Sequence, residues 1–274
     1  MVFRKKDRIE RKSPAQFEKM RVAGLVVAHT LARLESETGP GVTSIDLDRI
    51  AREELRKANA QPSFLGYYGY PAVICTSIND EVVHGIPSER ALIDGDIISI
   101  DFGAIVDGWH GDSAITIEVG NAVAQQSELS NVTRSALWAG LAQSQIGNQI
   151  GDIGHAVEST IRNAGSYGIL EDYVGHGIGT KMHMDPSVPN YGTPHSGMEL
   201  VEGMALAIEP MVTLGSKNVR TLDDQWTVVT TDGSRASHWE HTVAITDKGP
   251  WVLTALDGGL ACFSNMGIST FFAR

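Results

Sequence analysis

Two aspartates flank a predicted hairpin turn near the middle of the chain. Asp107-Gly108 separates two apolar runs rich in β-formers, a pattern typical of a two-residue hairpin. With that turn Asp112 pairs with Gly103, and Asp101 lies diagonal to Asp112 on the same face. Two carboxylates this close repel each other unless a positive charge lies between them. The hairpin alone therefore leaves two readings open. It is either a cation site in which Gly103 leaves room for an ion, or a pair of solvated carboxylates.

Three further candidate ligands lie in the second half of the chain. His176 stands in Val174-Gly-His-Gly-Ile-Gly179, where glycines allow an imidazole to come close to other chain segments. Glu209 ends one apolar strand and Glu240 lies in the middle of another, so both carboxylates should be buried. Singly, each of these residues is more often structural. As a set, one imidazole and four carboxylates suit two divalent cations such as Mn²⁺, Co²⁺, Fe²⁺ or Zn²⁺.

An internal repeat relates the candidate ligands to one another. Gly41–Ala58 aligns with Gly147–Ala164 at an offset of 106 residues, and Gly95–Asp101 aligns with Gly203–Glu209 at an offset of 108. Chance similarity between helices could produce the first match, but the second places an acidic residue at the end of both strands. Two related halves that face each other would put these two acids across a common centre.

Capping residues and periodicity predict the elements that position these groups. Ser13, Pro14 and Gln16 start a helix whose apolar face runs over Phe17–Leu34, and Thr43 caps a second helix. The other predicted elements are helices over 127–144 and 152–163 and strands over 72–78, 204–211, 225–230 and 237–245. An aromatic loop over 61–71 and a turn over 79–87 surround the first of these strands.

Composition and charge restrict the class of protein. The 274 residues carry a formal net charge of -11, which argues against a nucleic-acid partner. We expect one catalytic domain over 14–253, a basic arm over 1–13 and a C-terminal tail over 254–274. Charges follow from Arg4, no apolar run approaches the ~18 residues of a membrane helix, and two cysteines cannot form a disulfide framework. A cytoplasmic protein without a membrane partner is expected.

At these residues the sequence resembles type I methionine aminopeptidases, from about Pro14 to Leu253. Motifs shared with aminopeptidase P, prolidase and creatinase are the Asp101–Asp112 hairpin, Gly175-His-Gly-Ile-Gly179, Ala207-Ile-Glu-Pro210 and Glu240-His-Thr242. Cys75-Thr-Ser-Ile-Asn79, followed by His84-Gly-Ile-Pro87, is similar to the methionine enzymes in particular. The resemblance implies an α+β pita-bread fold, in which two pseudo-symmetric halves form a central antiparallel β-sheet covered by helices.

The same resemblance implies an enzyme that removes the initiator methionine when the next residue is small and uncharged. Its ligands for two divalent ions would be Asp101, Asp112, His176, Glu209 and Glu240. Glu209 would take a proton from the attacking water, His183 would hydrogen-bond the oxyanion, and His84 would contact the scissile amide. The methionine pocket would be lined by Tyr67, Tyr70, Cys75, Met182 and Trp226, besides the two histidines.

Two residues depart from the usual pattern of that family. Met182 stands where an aromatic residue is common, so the shape of the pocket can differ. His238 stands where a glutamine is usual, and it either tunes the metal ligands or faces solvent. The resemblance also implies N-termini of nascent polypeptides as partners. A transient ribosome contact, a monomeric state and a monovalent cation near Asn79 are further hypotheses.

Two other functions stay open at this stage. An X-Pro aminopeptidase would have the same fold and the same metal ligands. A non-catalytic pita-bread binding module would differ in class, although such modules usually lack several of the ligands, and all five are present here.

Overall fold

The elements of the chain follow one another as two successive sets, each of which begins with two helices and continues in strands. The computed structural model describes residues 9–271, so Arg4 and the rest of the predicted arm before residue 9, and Phe272 of the tail, lie outside the described residues. The first set comprises α1 (Pro14–Glu37), α2 (Ser44–Lys57), β1 (Gln61–Pro62), β2 (Ile74–Ile78), β3 (Glu81–Val83), β4 (Ile97–Val106) and β5 (Trp109–Glu118).

The second set repeats this order over residues 124–265. Its helices are α3 (Ala124–Ala142), α4 (Ile150–Ala164) and the short α5 (Leu260–Asn265). Its strands are β6 (Gly168–Ile169), β7 (Gly175–Gly177), β8 (Met184–Val188), β9 (Ala205–Ile208), β10 (Met211–Thr213), β11 (Val219–Thr221), β12 (Val228–Thr230), β13 (Ala236–His238), β14 (His241–Thr246) and β15 (Gly249–Val252). None of the helices in the described part of the chain is long and apolar enough to span a membrane.

The predicted helix starts are confirmed at both N-terminal helices. The Ser13 N–H donates to Gln16 Oε1 at 2.8 Å, which closes one side of a capping box before α1. Thr43 Oγ1 accepts from the Asp46 N–H at 3.2 Å at the start of α2. The helices predicted over 127–144 and 152–163 are present as α3 and α4, with ends that differ by one to three residues.

Each half packs its helices onto its own strands. Side chains of α1 and α2 bury their apolar faces against β2 and β4, and those of α3 and α4 pack against β9 and β14. A smaller cluster that includes Phe17, Trp109 and Trp251 joins α1 to the strands of the second half. In the predicted tail, Phe263 on α5 enters the core of the second half, and the Phe271 ring stacks on Trp251 at 4.3 Å.

The hairpin has the predicted register. Asp107 and Gly108 both have positive φ, as a two-residue hairpin turn requires, and Gly103 pairs with Asp112. β4 also pairs along its other edge with β2 and β1. The second half forms a five-stranded sheet in the order β15-β14-β9-β7-β8, and two three-stranded sheets have the orders β13-β10-β6 and β11-β12-β3.

Hydrogen bonds join the two halves along β5. The Glu240 N–H donates to the Ala114 carbonyl at 2.9 Å, and the Ala114 N–H donates to the Glu240 carbonyl at 3.3 Å. Thr242 Oγ1 accepts from the Asp112 N–H at 3.1 Å and donates to the Asp112 carbonyl at 2.8 Å. The strand that carries Asp112 is therefore fixed to the segment that carries Glu240.

Four predicted strands are shorter than expected or interrupted, and the one over 72–78 begins only at Ile74. The strand predicted over 204–211 breaks at Glu209-Pro210 because proline has no N–H for the ladder. The strand over 237–245 breaks at Trp239-Glu240, so the placement of Glu240 in mid-strand was wrong; its backbone pairs with β5 instead. The strand over 225–230 begins only at Val228, because Asp224 Oδ1 accepts from two following N–H groups and forms a turn.

The interpretation of Gly103 as room for an ion was also wrong. A Cβ at this position would lie 2.7 Å from Ser63 Cβ and 3.0 Å from a ring carbon of Phe64. The Ser63 N–H donates to the Gly103 carbonyl at 3.0 Å, which holds this segment against the hairpin. Gly103 therefore makes room for a neighbouring chain segment.

Candidate metal centre and substrate cavity

A cavity of about 280 Å³ collects side chains from both halves. Its lining consists of Phe64, Tyr67, Tyr68, Tyr70, Cys75, His84, Asp101, Asp112, His176, Met182, His183, Glu209, Trp226 and Glu240. All residues that the sequence nominated as ligands of the two divalent ions, for catalysis or for substrate binding are in this set. Carboxylates and imidazoles occupy one part of the lining, and aromatic and sulfur-containing side chains the other.

The first half contributes Asp101 and Asp112 from its regular hairpin. The two side chains are diagonal neighbours on β4 and β5, and among residues 9–271 Oδ1 of each is buried without a hydrogen-bond partner. Burial raises the pKa of Asp112 to about 7, and burial together with the nearby Asp112 and Glu209 raises the pKa of Asp101 well above its usual range. The site therefore disfavours these negative charges unless a cation accompanies them.

The second half contributes His176 from a very short strand between two others. A Cβ on Gly175 would lie 2.3 Å from the Ala207 carbonyl oxygen, and one on Gly177 would lie 2.2 Å from the Asp185 carbonyl oxygen. The glycines thus allow the close approach that the sequence predicted. His176 Nδ1 donates to the Gly177 carbonyl at 3.0 Å, which leaves Nε2 as the ring's lone-pair donor. Burial lowers the pKa of His176 to about 3, so the ring is neutral.

Glu209 and Glu240 complete the acidic part of the lining. Glu209 follows directly after β9, and its Oε1 lies 3.6 Å from His176 Nε2. Glu240 lies in the gap between β13 and β14, and its buried Oε1 has no hydrogen-bond partner in the part of the chain that the structure describes. Burial and then repulsion from Asp112 raise the pKa of both glutamates well above the usual range. Glu209 remains slightly accessible, with 14% of its side chain exposed, whereas only 2% of the Glu240 side chain is exposed.

The donor set fits a divalent metal. Ligand atoms of Asp112, His176 and Glu240 all lie within 4.8 Å of one another. Within residues 9–271, Asp101, Asp112 and Glu240 each have a buried carboxylate oxygen without a hydrogen-bond partner, and a cation between them would supply the missing interaction. Mostly oxygen donors with one neutral imidazole nitrogen are suited to Mn²⁺, Fe²⁺, Co²⁺ or Zn²⁺.

Two further histidines border the acidic group. The His183 ring lies 4.3 Å from the His176 ring, and its Nδ1 forms a hydrogen bond of 2.9 Å with the Tyr67 hydroxyl. His84 has a left-handed backbone (φ 59°), and its ring faces Tyr173 and Trp226 edge-on. Burial, and then the proximity of His183, lower the pKa of His84 to about 4, while burial alone lowers that of His183.

The apolar part of the cavity forms a small separate cluster. Its buried members are Phe64, Tyr70, Ala72, Cys75 and Met182, against which Tyr67, Ile86 and Trp226 pack. The Tyr70 hydroxyl donates to main-chain carbonyls, at 2.9 Å in the case of Gly85, so it presents only its ring. Burial, and then the negative Asp101, raise the pKa of the Cys75 thiol well above its usual range, which keeps it neutral.

The sequence reasoning missed Phe64 and Tyr68 as lining residues. Both belong to the aromatic loop from which only Tyr67 and Tyr70 were assigned to the pocket. Tyr68 is 85% exposed with a left-handed backbone (φ 46°), a conformation that a non-glycine residue adopts rarely. The signal that could have found them is the run of aromatic residues punctuated by glycines.

His238 and Asn79 have defined surroundings. His238 is 2% exposed, so the option that it faces solvent was wrong. Asn79 Nδ2 donates to Asp96 Oδ1 at 2.8 Å, and the Asn79 carbonyl accepts from the Ala236 N–H at 2.8 Å. The monovalent cation near Asn79 stays a prediction.

Comparison with known proteins agrees with this geometry. A sequence profile described as metallopeptidase family M24 matches residues 18–247. The chain belongs to metallopeptidase family M24. It is 52% identical over 252 residues to methionine aminopeptidase 1 of Mycobacterium tuberculosis, covering 90% of this chain and 95% of that protein. Within family M24 it groups with the methionine aminopeptidases.

Solved structures show the same fold. The crystal structure of methionine aminopeptidase from Thermotoga maritima matches with a TM-score of 0.88 and 43% identity, covering 90% of this chain and 99% of that chain. Prolidase from Pyrococcus furiosus matches with a TM-score of 0.70 and 22% identity, covering 91% of this chain and 66% of that chain. The second likeness shows the fold alone. The chain has the pita-bread fold, with two related halves around antiparallel sheets.

Proposed function

We propose that this protein is a dimetal aminopeptidase that removes an N-terminal methionine when the following residue is small and uncharged. The observation that carries this proposal is the juxtaposition in one cavity of a buried acidic cluster and an apolar aromatic pocket. Membership of a metallopeptidase family supports a divalent metal, and relatives named methionine aminopeptidase support the choice of substrate.

The metal ions would be held by Asp101, Asp112, His176, Glu209 and Glu240. When bound, they would act as Lewis acids and lower the pKa of a coordinated water. The donor count supports two ions, since four carboxylates and an imidazole offer more donor atoms than one ion of this kind uses.

Glu209 is the proposed general base and acid. It is the more accessible of the two glutamates, and burial raises the pKa of its carboxyl well above the usual range, which strengthens it as a proton acceptor. It would take a proton from the attacking water and pass it to the leaving nitrogen as the carbon–nitrogen bond breaks. The products are free methionine and the shortened peptide.

Two histidines would act on the substrate directly. The Tyr67 hydroxyl, if it donates to His183 Nδ1, leaves Nε2–H of that ring to stabilise the developing oxyanion. His84 is neutral at physiological pH because burial depresses its pKa, so it would contact the scissile amide without adding charge. The geometry of both rings rests on aromatic neighbours and not on the acidic cluster.

The aromatic pocket would bind the methionine side chain. Tyr70, Cys75 and Met182 present ring and sulfur surfaces, which make favourable contacts with a thioether. Its small volume supports selection of a single residue at the end of a chain.

A peptide panel tests this function. The chelated protein is supplied with Mn²⁺ or Co²⁺ and incubated with Met-Ala-Ser, Met-Lys-Ser and Ala-Pro-Gly. We expect methionine release from Met-Ala-Ser only. Cleavage restricted to Ala-Pro-Gly would identify an X-Pro peptidase, and no cleavage despite bound metal would favour a binding module.

The cellular setting is part of the same proposal. A cytoplasmic enzyme acting as a monomer, in transient contact with the ribosome, would meet nascent N-termini as they emerge. Sedimentation of the full chain with and without ribosomes tests both points: we expect a monomer alone and salt-sensitive co-sedimentation with ribosomes. A stable oligomer, or no co-sedimentation at low salt, would contradict them.

A further inference from the structure

His238 is held in the wall of the metal centre by its own backbone. Its N–H lies within hydrogen-bond distance of Ser99 Oγ at 3.1 Å and Thr116 Oγ1 at 3.0 Å, and its carbonyl accepts from the Thr116 hydroxyl at 2.7 Å. Ser237 Oγ extends this network to Thr116 at 3.0 Å. These hydroxyls come from β4, β5 and β13, so the ring projects from a point where both halves meet. Its orientation is therefore set by the fold.

The ring of His238 faces two of the candidate metal ligands. Nε2 lies 3.9 Å from Glu209 Oε2 and 4.0 Å from Glu240 Oε2. Within residues 9–271, this buried nitrogen has no hydrogen-bond partner. An unpaired buried polar atom destabilises the folded state. We therefore expect His238 Nε2 to interact with the two carboxylate oxygens beside it.

Both glutamates direct one carboxylate oxygen, Oε2, toward the His238 ring. Glu209 Oε1 faces His176, a candidate metal ligand, whereas Glu209 Oε2 faces His238. Glu240 likewise directs Oε2 toward His238. A rotation of either carboxylate would bring its Oε2 from about 4 Å into hydrogen-bond range of Nε2.

We propose that His238 is a positioning residue of the metal centre, whose Nε2–H donates to the Oε2 atoms of Glu209 and Glu240. The hydrogen bond fixes both carboxylates so that their remaining oxygens meet the metal. This inference rests on the proposed metal centre and adds a residue outside the five proposed ligands. Glutamine also offers an N–H donor, so the two side chains can serve the same purpose by different shapes.

Three variants separate this role from simple packing. His238→Leu keeps the bulk and removes the donor, and His238→Gln restores an N–H donor. His155→Leu makes the same change on the exposed face of α4 and serves as the control. For each chelated protein we would measure the Kd of Mn²⁺ by calorimetry and kcat with Met-Ala-Ser.

The expected pattern is a loss and a rescue. Removing a hydrogen-bond partner of a metal ligand typically weakens metal binding about 10- to 100-fold, which we expect for His238→Leu. The Kd of Mn²⁺ for His238→Gln should stay within about threefold of the parent value, and the Kd for His155→Leu should equal the parent value. An unchanged Kd in His238→Leu, or a loss in His238→Gln equal to that in His238→Leu, would overturn the proposal.

A measurement on the unaltered protein covers the case in which His238→Leu fails to fold. In ¹⁵N-histidine-labelled protein loaded with Zn²⁺, we expect the His238 ring as the Nε2–H tautomer. A ring unprotonated at Nε2 would contradict the proposal. The Kd and the tautomer do not depend on peptide cleavage: if the protein binds Mn²⁺ but cleaves no peptide, the proposed function fails while this inference stands.

Discussion

The two halves of the molecule contribute to the same metal centre in different ways. The first half presents Asp101 and Asp112 from two ten-residue strands paired without interruption from Ile97 to Glu118. The second half presents its proposed ligands where regular structure is interrupted. His176 lies at a register shift in β7, Glu209 follows the end of β9, and Glu240 fills the gap between β13 and β14.

The difference has a geometric cause. A regular hairpin directs alternate side chains to one face, so two of its residues can reach a common point without distortion. The proposed ligands of the second half come from three separate chain segments and must reach that same point. A bulge or a break re-aims a side chain at the cost of local ladder hydrogen bonds. The bonds between Glu240 and Ala114 recover part of that loss across the two halves.

The largest expected effect comes from a ligand of the irregular half. His176→Ala removes the single nitrogen donor, so kcat with Met-Ala-Ser should fall by more than about 10³-fold and bound metal should decrease. Elemental analysis beside the peptide assay checks this. A variant that keeps both metal content and rate would exclude His176 as a ligand.

A residue of the regular half outside the acidic cluster should behave differently. His84→Ala removes a contact to the substrate, so kcat should fall by about 10- to 10³-fold while metal content stays normal. Measuring both quantities on the same preparation distinguishes the two histidines. Loss of metal in His84→Ala would mean that His84 contributes to metal binding and not only to contact with the substrate.

Without metal, the buried carboxyls should make the free energy of unfolding fall as the pH rises. The carboxyls have folded-state pKa values above their unfolded values, to about 7 for Asp112. The folded state therefore binds more protons, and the stability associated with this protonation is lost as the pH rises from about 4 through 7. The buried histidines have lowered pKa values and act in the opposite direction, so the comparison is made with Asp112→Asn. Between pH 5 and pH 7.5 the chelated parent should lose several degrees of melting temperature relative to chelated Asp112→Asn.

Added Mn²⁺ provides the control for that experiment. It should raise the melting temperature more at pH 7.5 than at pH 5, because protons compete with the metal for the same oxygens. Equal shifts at both pH values, or a chelated parent whose melting temperature changes with pH in the same way as that of Asp112→Asn, would contradict the raised pKa values.

The smallest expected effect concerns the packing of the hairpin. Gly103→Ala places a methyl group against Ser63 and Phe64, so the free energy of unfolding should fall by about 1–3 kcal/mol. Metal content should be retained because Gly103 does not border an ion. Denaturant unfolding with elemental analysis tests both points. Loss of one metal without loss of stability would restore the earlier interpretation of Gly103.

The regular half was predictable from sequence and the irregular half only in part. The Asp-Gly turn sets the register of β4 and β5, so the relation between Asp101 and Asp112 follows from local rules. The break at Glu240 does not follow from them, because its backbone partner lies about 126 residues away on β5. Likewise, an absent side chain at Gly103 looks the same in sequence whether an ion or Phe64 fills the space.

The central claim is that both halves bind divalent metal at one point. Anomalous scattering from crystals grown with Mn²⁺ tests it most directly. We predict two peaks among the carboxylates of Asp101, Asp112, Glu209 and Glu240, with His176 Nε2 bonded to one of them. The absence of peaks at this cluster, or Mn²⁺ bound only elsewhere, would contradict the claim.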